Sequence, residues 1–278
     1  MTTDEGAPDD DTDDVDDEFD ADEIAMSTLP TWDPWDARVE DALRTAEIGD
    51  DLRLVYNSSN YVFLARLDHP VLGAGTGVYK PRRGEQPLRD FPDGLYEREI
   101  AAFHLSRLLG WDVVPPTVER SGPHGVGSMQ LFIEHDPAEH YFELRDRDRD
   151  DLDEQFARFA VFDLLTNNAD RKASHLLLDP GGRVWGIDQG LCFHAHQKLR
   201  TVVWDYAGTR LPASWLDDIR RACTDLEAPE PTADAVALRT RIADRELTAL
   251  LRRAHALLDD PVLPEMYEDY RCVPWPMI

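Results

Sequence analysis

The sequence predicts an α+β protein with two lobes. In the first half of the chain, short apolar runs alternate with turns rich in Gly, Pro and Asn, which is typical of strands. In the second half, apolar residues recur at the spacing of helices. A chain of 278 residues also buries enough surface for two lobes. We therefore expect a β-rich lobe over residues 31–135, a helical lobe over residues 136–278, and a cleft between them.

Residues 1–30 form an acidic, low-complexity segment. They contain 13 Asp or Glu residues and no Lys or Arg, in a chain whose net charge is −27. Such a segment cannot bury enough apolar surface to offset the entropy lost on ordering, so we expect a disordered tail. We interpret it as a solubilising tail, with a docking or autoinhibitory role as the alternative.

Charge and cysteine content exclude several classes of protein. A net charge of −27 argues against nucleic-acid binding and against binding to anionic membranes, since both need basic surface. The three cysteines are widely spaced, which fits neither a disulfide framework nor a zinc site and suits a reducing compartment. No apolar stretch approaches the length of a membrane span. We expect a cytoplasmic protein without stable membrane insertion and without a nucleic-acid partner.

The β-rich lobe begins with a short helix, VEDALRTAE, and continues with strands. LRLV and YVFLARL are predicted strands on either side of a polar turn that contains Ser58, Ser59 and Asn60. Backbone N–H groups in such a turn can bind phosphate, although these are also ordinary turn residues. GTGVYKP is a third predicted strand.

A basic cluster ends this third strand. Lys80 is followed within three residues by Arg82 and Arg83. In so acidic a chain, the cluster indicates an anion site, with a solvated strand end as the alternative. The next segment, EREIAAFHLSRLLG, predicts a helix that stops at its glycine. Two acids, Glu97 and Glu99, lie near the start of this helix. Either both interact favourably with the helix dipole, or one of them pairs with Lys80.

Two further strands and a second lobe follow. VVPPTVER and GSMQLFIE are predicted strands around a GPHGVG turn. EQFARFAVFDLL then predicts an apolar helix that leads directly into Asn167.

The main candidates for functional residues are two acids in the stretch 167–190, which reads NNADRKASHLLLDPGGRVWGIDQG. HLLLD and RVWGID predict two strands joined by a DPGG turn, and this hairpin returns Asp188 to the neighbourhood of Asp170. Arg171 and Lys172 follow Asp170 directly. For either Asp alone, turn chemistry is the simpler explanation. The pair, with Asp188 at the end of an apolar strand, instead suits a site for a metal and a phosphate.

Five segments, taken in order, resemble a known family. GVYKP, EREIAAFHLSRLLGWDVVPPT, SMQLFIE, VFDLLTNNADRK and GIDQGLCF are similar to segments of the phosphatidylinositol 3- and 4-kinase-like group of the protein-kinase-like superfamily. The closest similarity is to the type II phosphatidylinositol 4-kinases and their bacterial members. The resemblance covers about residues 60–215. It implies a two-lobed protein-kinase-like fold that binds ATP and Mg²⁺ or Mn²⁺ in its cleft.

The resemblance also implies roles for residues of the first lobe. Lys80 corresponds to the lysine that holds the nucleotide phosphates. Glu99, with Glu97 as the fallback, corresponds to the helix glutamate that pairs with this lysine. The connector that contacts adenine corresponds to residues 130–134, which include Gln130, Phe132 and Ile133. A GxGxxG loop is missing, so the turn with Ser58, Ser59 and Asn60 would have to cover the phosphates.

In the second lobe, Asp170 corresponds to the catalytic aspartate, in a loop with Arg171 and Lys172, and Asp188 to the metal-binding aspartate. The family's second metal ligand, usually Asn, is replaced by His175, and imidazole is a poor ligand for Mg²⁺. Three accounts stay open. In the first, magnesium is bound by Asp188, Asp170, water and phosphate alone. In the second, the site prefers manganese. In the third, phosphate transfer is lost and the protein is a nucleotide-binding pseudokinase.

The predicted function is therefore an ATP-dependent kinase that moves the γ-phosphate to a hydroxyl acceptor. A protein or a soluble small molecule fits as acceptor better than a lipid, because the sequence contains neither a basic amphipathic helix nor a lipid anchor. The alternatives are a nucleotide-binding pseudokinase and an AMP-transferring enzyme on the same fold.

Overall fold

A computed structural model describes residues 29–55, 60–147, 149–268 and 270–278. Nearly all of the acidic tail lies outside the described residues, and so do Ser58 and Ser59 of the turn expected to cover phosphates. Both expectations therefore stay predictions. Among the described residues, no helix combines the length and the apolar character needed to cross a membrane.

The first half of the chain forms a five-stranded antiparallel sheet with the order β1-β2-β3-β5-β4. The strands are β1 (Glu47–Leu54), β2 (Phe63–His69), β3 (Gly73–Pro81), β4 (Thr117–Gly122) and β5 (Gly125–Leu131). Strand β5 lies between β3 and β4, which explains why its last five residues are all buried. Lys80, near the end of β3, pairs with Ser128 of β5. The strands predicted from the sequence are confirmed.

Two helices accompany this sheet. Helix α1 (Val39–Thr45) and helix α2 (Leu95–Leu109) both pack against β4 and β5. Helix α2 ends at Gly110, which adopts the left-handed φ of 70°. Glycine accepts this conformation without the Cβ clash that other residues meet, so the predicted helix stop is confirmed with its physical reason.

The second half contains five helices among its described residues and one small hairpin. The helices are α3 (Tyr141–Arg145), α4 (Asp150–Thr166), α5 (Ala213–Glu227), α6 (Ala233–Arg241) and α7 (Asp244–Asp259). The hairpin pairs β6 (Leu176–Leu178) with β7 (Val184–Gly186) in antiparallel fashion. Its turn is closed by the bond from the Asp179 N–H to the Arg183 carbonyl, at 2.9 Å. The hairpin predicted between Asp170 and Asp188 is thus confirmed.

Tryptophans join the hairpin to the sheet. Trp185 of β7 is buried in the same apolar cluster as Met129 and Leu131 of β5. Trp35, which precedes α1, lies with its ring 5.5 Å from the ring of Trp185. Truncating a buried Trp side chain typically lowers the free energy of unfolding by about 3–5 kcal/mol, so we expect Trp185 to contribute strongly to the packing of the hairpin against the sheet.

Candidate active site

Lys80 is the centre of an ion-pair network between the two lobes. Its Nζ lies 2.5 Å from Glu99 Oε1 of α2 and 2.9 Å from Asp188 Oδ1, just after β7. Desolvation by itself would lower the pKa of Lys80, but the charges of Asp188 and Glu99 outweigh it and raise the pKa above the ordinary lysine value. The lysine is therefore a permanent cation at the mouth of the cleft.

Glu99 is the carboxylate that fixes this lysine. It is buried, and its second oxygen, Oε2, accepts a hydrogen bond of 2.8 Å from the Gln189 N–H. Glu97, the fallback partner, instead accepts a hydrogen bond from Arg241 of α6. The structure therefore places Glu99 against Lys80 and turns Glu97 towards another helix.

Asp188 is held in an unusual backbone conformation at the end of the hairpin. Its φ is 57°, in the left-handed region that Asp tolerates better than most residues. Its side chain is 48% exposed, far more than that of Glu99 at 4%. Desolvation by itself would raise the pKa of Asp188. The charges of Lys80 and His175 outweigh this effect and hold the pKa well below the usual range for Asp. The result is an ionised and accessible carboxylate.

Asp170 lies in the loop that follows α4, here called the catalytic loop after its predicted role. Its Oδ2 is 3.3 Å from Lys172 Nζ, and its side chain is 29% exposed. Desolvation, and then the negative charge of Asp188, raise the pKa of Asp170 above the usual value, although Lys172 opposes both. A carboxylate with a raised pKa is a better proton acceptor than an ordinary Asp.

One pocket brings these groups together. Lys80, Glu99, Asp170 and Asp188 all line it, together with Asn60 from the polar turn. Apolar side chains complete its wall, among them those of Val62, Leu88, Leu95 and Leu191. The proximity of Asp170 and Asp188, expected from the hairpin, is therefore present in the fold, and residues from both lobes form the site.

The ring of His175 lies between the Lys172 N–H and the Asp188 carboxylate. Its Nδ1 accepts a hydrogen bond of 3.3 Å from the Lys172 N–H, and its Nε2 lies 3.3 Å from Asp188 Oδ2. Burial lowers the pKa of His175 to about 4, so the ring is neutral at pH 7 and we assign its proton to Nε2. Both ring nitrogens are thus engaged. In this arrangement His175 donates a hydrogen bond to Asp188, and the expected metal ligation by His175 stays a prediction.

The remaining oxygen donors still fit a magnesium ion. Asp188 and Asp170 offer carboxylate oxygens in one accessible pocket. Within the described parts of the chain, no group of three or more His, Cys, Asp or Glu side chains is arranged to hold a metal. Mg²⁺ in nucleotide sites commonly uses one or two protein carboxylates and completes its shell with phosphate and water, so two carboxylates suffice.

The fold encloses Arg171, which directly follows Asp170. Its guanidinium is fully buried and lies 3.0 Å from Asp163 Oδ1, an acid inside α4. It also donates to the Ile187 carbonyl at 2.7 Å and to Gln189 Oε1 at 2.9 Å. The whole side chain is enclosed by these partners, which tie it to the loop that contains Asp170; a catalytic role for Arg171 stays a prediction.

Asp163 is the site-supporting residue that the sequence reasoning missed. Besides Arg171 it accepts hydrogen bonds from Thr201 Oγ1 at 2.9 Å and from Asn168 Nδ2 at 3.3 Å. The available signal was an acid within the apolar run VFDLL, because a buried carboxylate needs a partner.

The connector between the lobes also differs from expectation. The Gln130 side chain is buried and donates to Thr117 Oγ1 at 2.8 Å. The Phe132 N–H donates to the Thr76 carbonyl at 3.0 Å, and the Phe132 carbonyl accepts from the Thr31 hydroxyl. These groups bond to the sheet and to the segment before α1, and the expected nucleotide contacts through Gln130 and Phe132 stay predictions.

Ile133 has a similar arrangement. Its carbonyl accepts a hydrogen bond of 2.7 Å from His135 Nδ1, two residues further along the connector. Ile133 is buried, and the pocket that contains Lys80 is not lined by it. A role for Ile133 in binding adenine stays a prediction.

The sequence over residues 111–261 matches the family model described as phosphatidylinositol 3- and 4-kinase. The match covers more than half of the 278 residues. The chain belongs to the phosphatidylinositol 3- and 4-kinase family. Asp170 and Asp188 lie inside the matched region of this family member, whereas Lys80 and Glu99 precede it.

A curated relative supports this family membership. The protein Rv2133c of Mycobacterium tuberculosis (strain ATCC 25618 / H37Rv) is 40% identical over 233 residues, which covers 72% of this chain and 81% of the relative.

The chain is also similar to solved structures. Hydra Fam20 with sugar has a TM-score of 0.51 at 16% identity and covers 80% of this chain and 86% of its own. The Golgi casein kinase with Mn/ADP bound has a TM-score of 0.48 at 14% identity, covering 84% and 80%. The proinflammatory kinase CtkA of Helicobacter pylori has a TM-score of 0.44 at 12% identity, and the match covers 77% of this chain and 97% of CtkA. With the sheet and helices described above, the likeness to Fam20 confirms the predicted two-lobed protein-kinase-like fold.

Proposed function

We propose that this member of the phosphatidylinositol 3- and 4-kinase family is an ATP-dependent phosphotransferase that moves the γ-phosphate to a hydroxyl acceptor. One observation carries the proposal. Lys80 Nζ lies 2.5 Å from Glu99 and 2.9 Å from Asp188, and Asp170 lines the same pocket. This arrangement offers a fixed cation, an ionised carboxylate and a proton acceptor to one bound molecule.

Lys80 and Glu99 hold the nucleotide end of the site. Because Glu99 is fixed by the Gln189 N–H, it holds the ammonium of Lys80 towards the cleft. A bound phosphate replaces Asp188 as one partner of Lys80, which frees the Asp188 carboxylate. Catalysis of phosphoryl transfer depends mainly on such positioning and electrostatics.

Asp188 and Asp170 act on the metal and the acceptor. Asp188 stays ionised and accessible, so it and Asp170 would hold Mg²⁺ or Mn²⁺ together with water and phosphate oxygens. The metal, when bound, neutralises charge on the transferring phosphate. Asp170 orients the acceptor hydroxyl and accepts its proton, a role for which its raised pKa suits it.

A protein side chain or a soluble small molecule is the proposed acceptor. The net charge of −27 opposes approach to anionic membrane surfaces, which places lipids last.

Nucleotide binding without transfer is the second candidate function. The contacts of His175 support it. One ring nitrogen contacts the Lys172 N–H and the other the Asp188 carboxylate, so neither is available for a second metal contact. An AMP-transferring reaction in the same pocket is a third possible outcome of the test below.

The proposal is tested with γ-labelled and, separately, α-labelled ATP in the presence of Mg²⁺ or Mn²⁺, with thermal stability followed in parallel. We expect release or transfer of the γ-label by the wild type and its loss in Asp188→Asn with the fold intact. Asp217→Asn is the matched control, because Asp217 forms an exposed pair with Arg220 on α5. Unchanged turnover in Asp188→Asn would overturn the proposal.

Other outcomes separate the candidates. Transfer of the α-label would indicate the AMP-transferring reaction. ATP-dependent stabilisation without any labelled product, over a panel of protein and small-molecule acceptors, would favour nucleotide binding without transfer. Neither stabilisation nor product would contradict every function placed in this pocket.

A further inference from the structure

The segment 191–200, here called the acceptor-side segment, follows Asp188 and runs alongside the catalytic loop. At one end, the Ala169 N–H donates to the Leu191 carbonyl at 2.9 Å. At the other end, the Arg200 N–H donates to the Asn168 carbonyl at 2.8 Å. The segment is therefore attached at both ends to residues that directly precede Asp170.

The middle of the acceptor-side segment is held by the side chain of Asn167. Asn167 Nδ2 donates to the carbonyls of His194 at 2.8 Å and His196 at 2.7 Å. Asn167 Oδ1 accepts a hydrogen bond of 2.9 Å from the Lys198 N–H. One fully buried side chain thus makes three hydrogen bonds to the backbone of a segment that contains neither helix nor strand.

The backbone of Asn167 adds a second constraint. Asn167 ends α4 with a left-handed φ of 54°, a conformation that favours Gly and, after it, Asn. A glycine at this position would satisfy the backbone and lose all three side-chain bonds. The backbone requirement and the side-chain requirement can therefore be separated by substitution.

The acceptor-side segment has no residue that a kinase could phosphorylate on a hydroxyl. Residues 189–200 read QGLCFHAHQKLR, without Ser, Thr or Tyr. The next hydroxyl, that of Thr201, is buried and donates to Asp163 Oδ2 at 2.9 Å. In many kinases, phosphorylation orders the corresponding loop by creating new ion pairs. Here the side-chain amide of Asn167 makes hydrogen bonds that hold the segment without phosphorylation.

We infer that Asn167 is a positioning residue that keeps the acceptor-side segment ordered beside Asp170 without covalent modification. The segment and the catalytic loop therefore behave as one unit, and the activity of the site does not require phosphorylation of this segment. This inference rests on the proposed phosphotransferase function for its effect on turnover, but the ordering of the segment does not depend on it.

Amide hydrogen exchange of the full-length chain tests the ordering, and ATP turnover of phosphatase-treated protein tests its consequence. For Asn167→Gly we expect exchange in residues 191–200 to accelerate at least about tenfold, because three hydrogen bonds are lost. We expect kcat to fall about 100-fold, as for other misplacements of about 1 Å, with KM for ATP and ATP-dependent stabilisation unchanged.

Two further variants complete the test. Asn167→Asp keeps an acceptor for the Lys198 N–H but places a buried carboxylate oxygen against the two carbonyls, so effects at least as large as those of Asn167→Gly are expected. Gln197→Ala is the control within the segment, because this exposed side chain contacts only the hydroxyl of Tyr270 among the described residues.

The possible results are distinguishable. Wild-type exchange rates in both Asn167 variants would overturn the inference. So would turnover that appears only after phosphorylation of the wild type. Accelerated exchange in a chain without turnover in any state would support the ordering by Asn167 and count against the proposed phosphotransferase.

Discussion

Two carboxylate–cation pairs near the pocket have similar chemistry and opposite accessibility. Asp163 and Arg171 form a sealed pair, in which both side chains are 0% exposed. Lys80 and Asp188 form an open pair, in which the side chains are 18% and 48% exposed. The sealed pair has all its bonds within the protein and can only support structure. The open pair can exchange partners with a charged ligand.

Gln189 connects the two pairs. Its N–H donates to Glu99 at 2.8 Å on the side of the open pair, and its Oε1 accepts from Arg171 at 2.9 Å on the side of the sealed pair. The sealed pair is therefore joined to the open one through Gln189, and also through the Ile187 carbonyl that Arg171 contacts. Burial, and not the chemical identity of the charges, therefore distinguishes the sealed pair from the open pair.

The largest effect is expected from breaking the sealed pair. Arg171→Met leaves the Asp163 carboxylate buried without its cation, which should lower the free energy of unfolding by about 3–5 kcal/mol. Chemical denaturation measures the change. The double variant Asp163→Leu/Arg171→Met should recover much of the loss because no charge remains buried. A single variant as stable as the wild type would contradict the assignment of a sealed pair.

The next largest effect concerns the open pair and its anchor. Glu99→Gln removes the charge that holds Lys80, so kcat/KM for ATP turnover should fall about 100-fold, or about 2.7 kcal/mol. Glu97→Gln is the matched control two residues away and should change turnover by less than about twofold, since its partner is Arg241. Equal losses in both variants would show that Glu99 acts only through the stability of α2.

A smaller effect is expected at the residue between the pairs. Gln189→Met keeps the side-chain volume but leaves a buried N–H of Arg171 without its acceptor, which should cost about 1–2 kcal/mol of stability. Because its backbone bond to Glu99 remains, turnover should fall less than in Glu99→Gln. Gln197→Met, at an exposed glutamine, should change neither quantity. Loss of turnover without loss of stability would instead separate Gln189 from the sealed pair.

The smallest effect concerns a titrating group outside both pairs. Burial lowers the pKa of His135 on the connector, so the native state resists protonation while the unfolded chain takes up a proton near pH 6.5. The unfolded state then binds more protons, and the stability contributed by neutral His135 is present above about pH 6.5 and lost as the pH falls below it.

His135→Asn isolates this contribution. Asn can still donate to the Ile133 carbonyl but does not titrate, so the stability difference between wild type and variant should change only below about pH 6.5. Denaturation midpoints measured between pH 5 and pH 8 check this. A constant difference over that range would show that the native state takes up the proton as readily as the unfolded chain does.

Much of the site was predictable because its residues carry local signals. Lys80 ends an apolar strand, and Asp188 lies at the end of another. The DPGG turn between β6 and β7 was sufficient to predict that Asp170 and Asp188 share one end of a hairpin. These features depend on turn chemistry and on strand periodicity, which act over a few residues.

The sequence could not predict the environment of other charged residues, because neighbouring residues of similar chemistry have different surroundings. Arg171 and Lys172 are adjacent cations, yet Arg171 is sealed in the core while the Lys172 side chain is 23% exposed. His175 follows the catalytic loop at the position of a metal ligand, but its ring is held by the Lys172 N–H and Asp188. Local sequence does not specify which way such side chains point.

The sequence by itself determined the strands, the helix stop at Gly110, the hairpin, and the set of charged residues available for chemistry. The tertiary structure alone decided which of those charges meet and which are sealed. Glu99 faces Lys80 and Glu97 faces Arg241, although both lie in the first turns of α2. The physical reason is that dihedral preferences and periodicity are local, whereas the burial and pairing of a charge depend on elements distant in the chain, such as α4, α6 and the segment after β7.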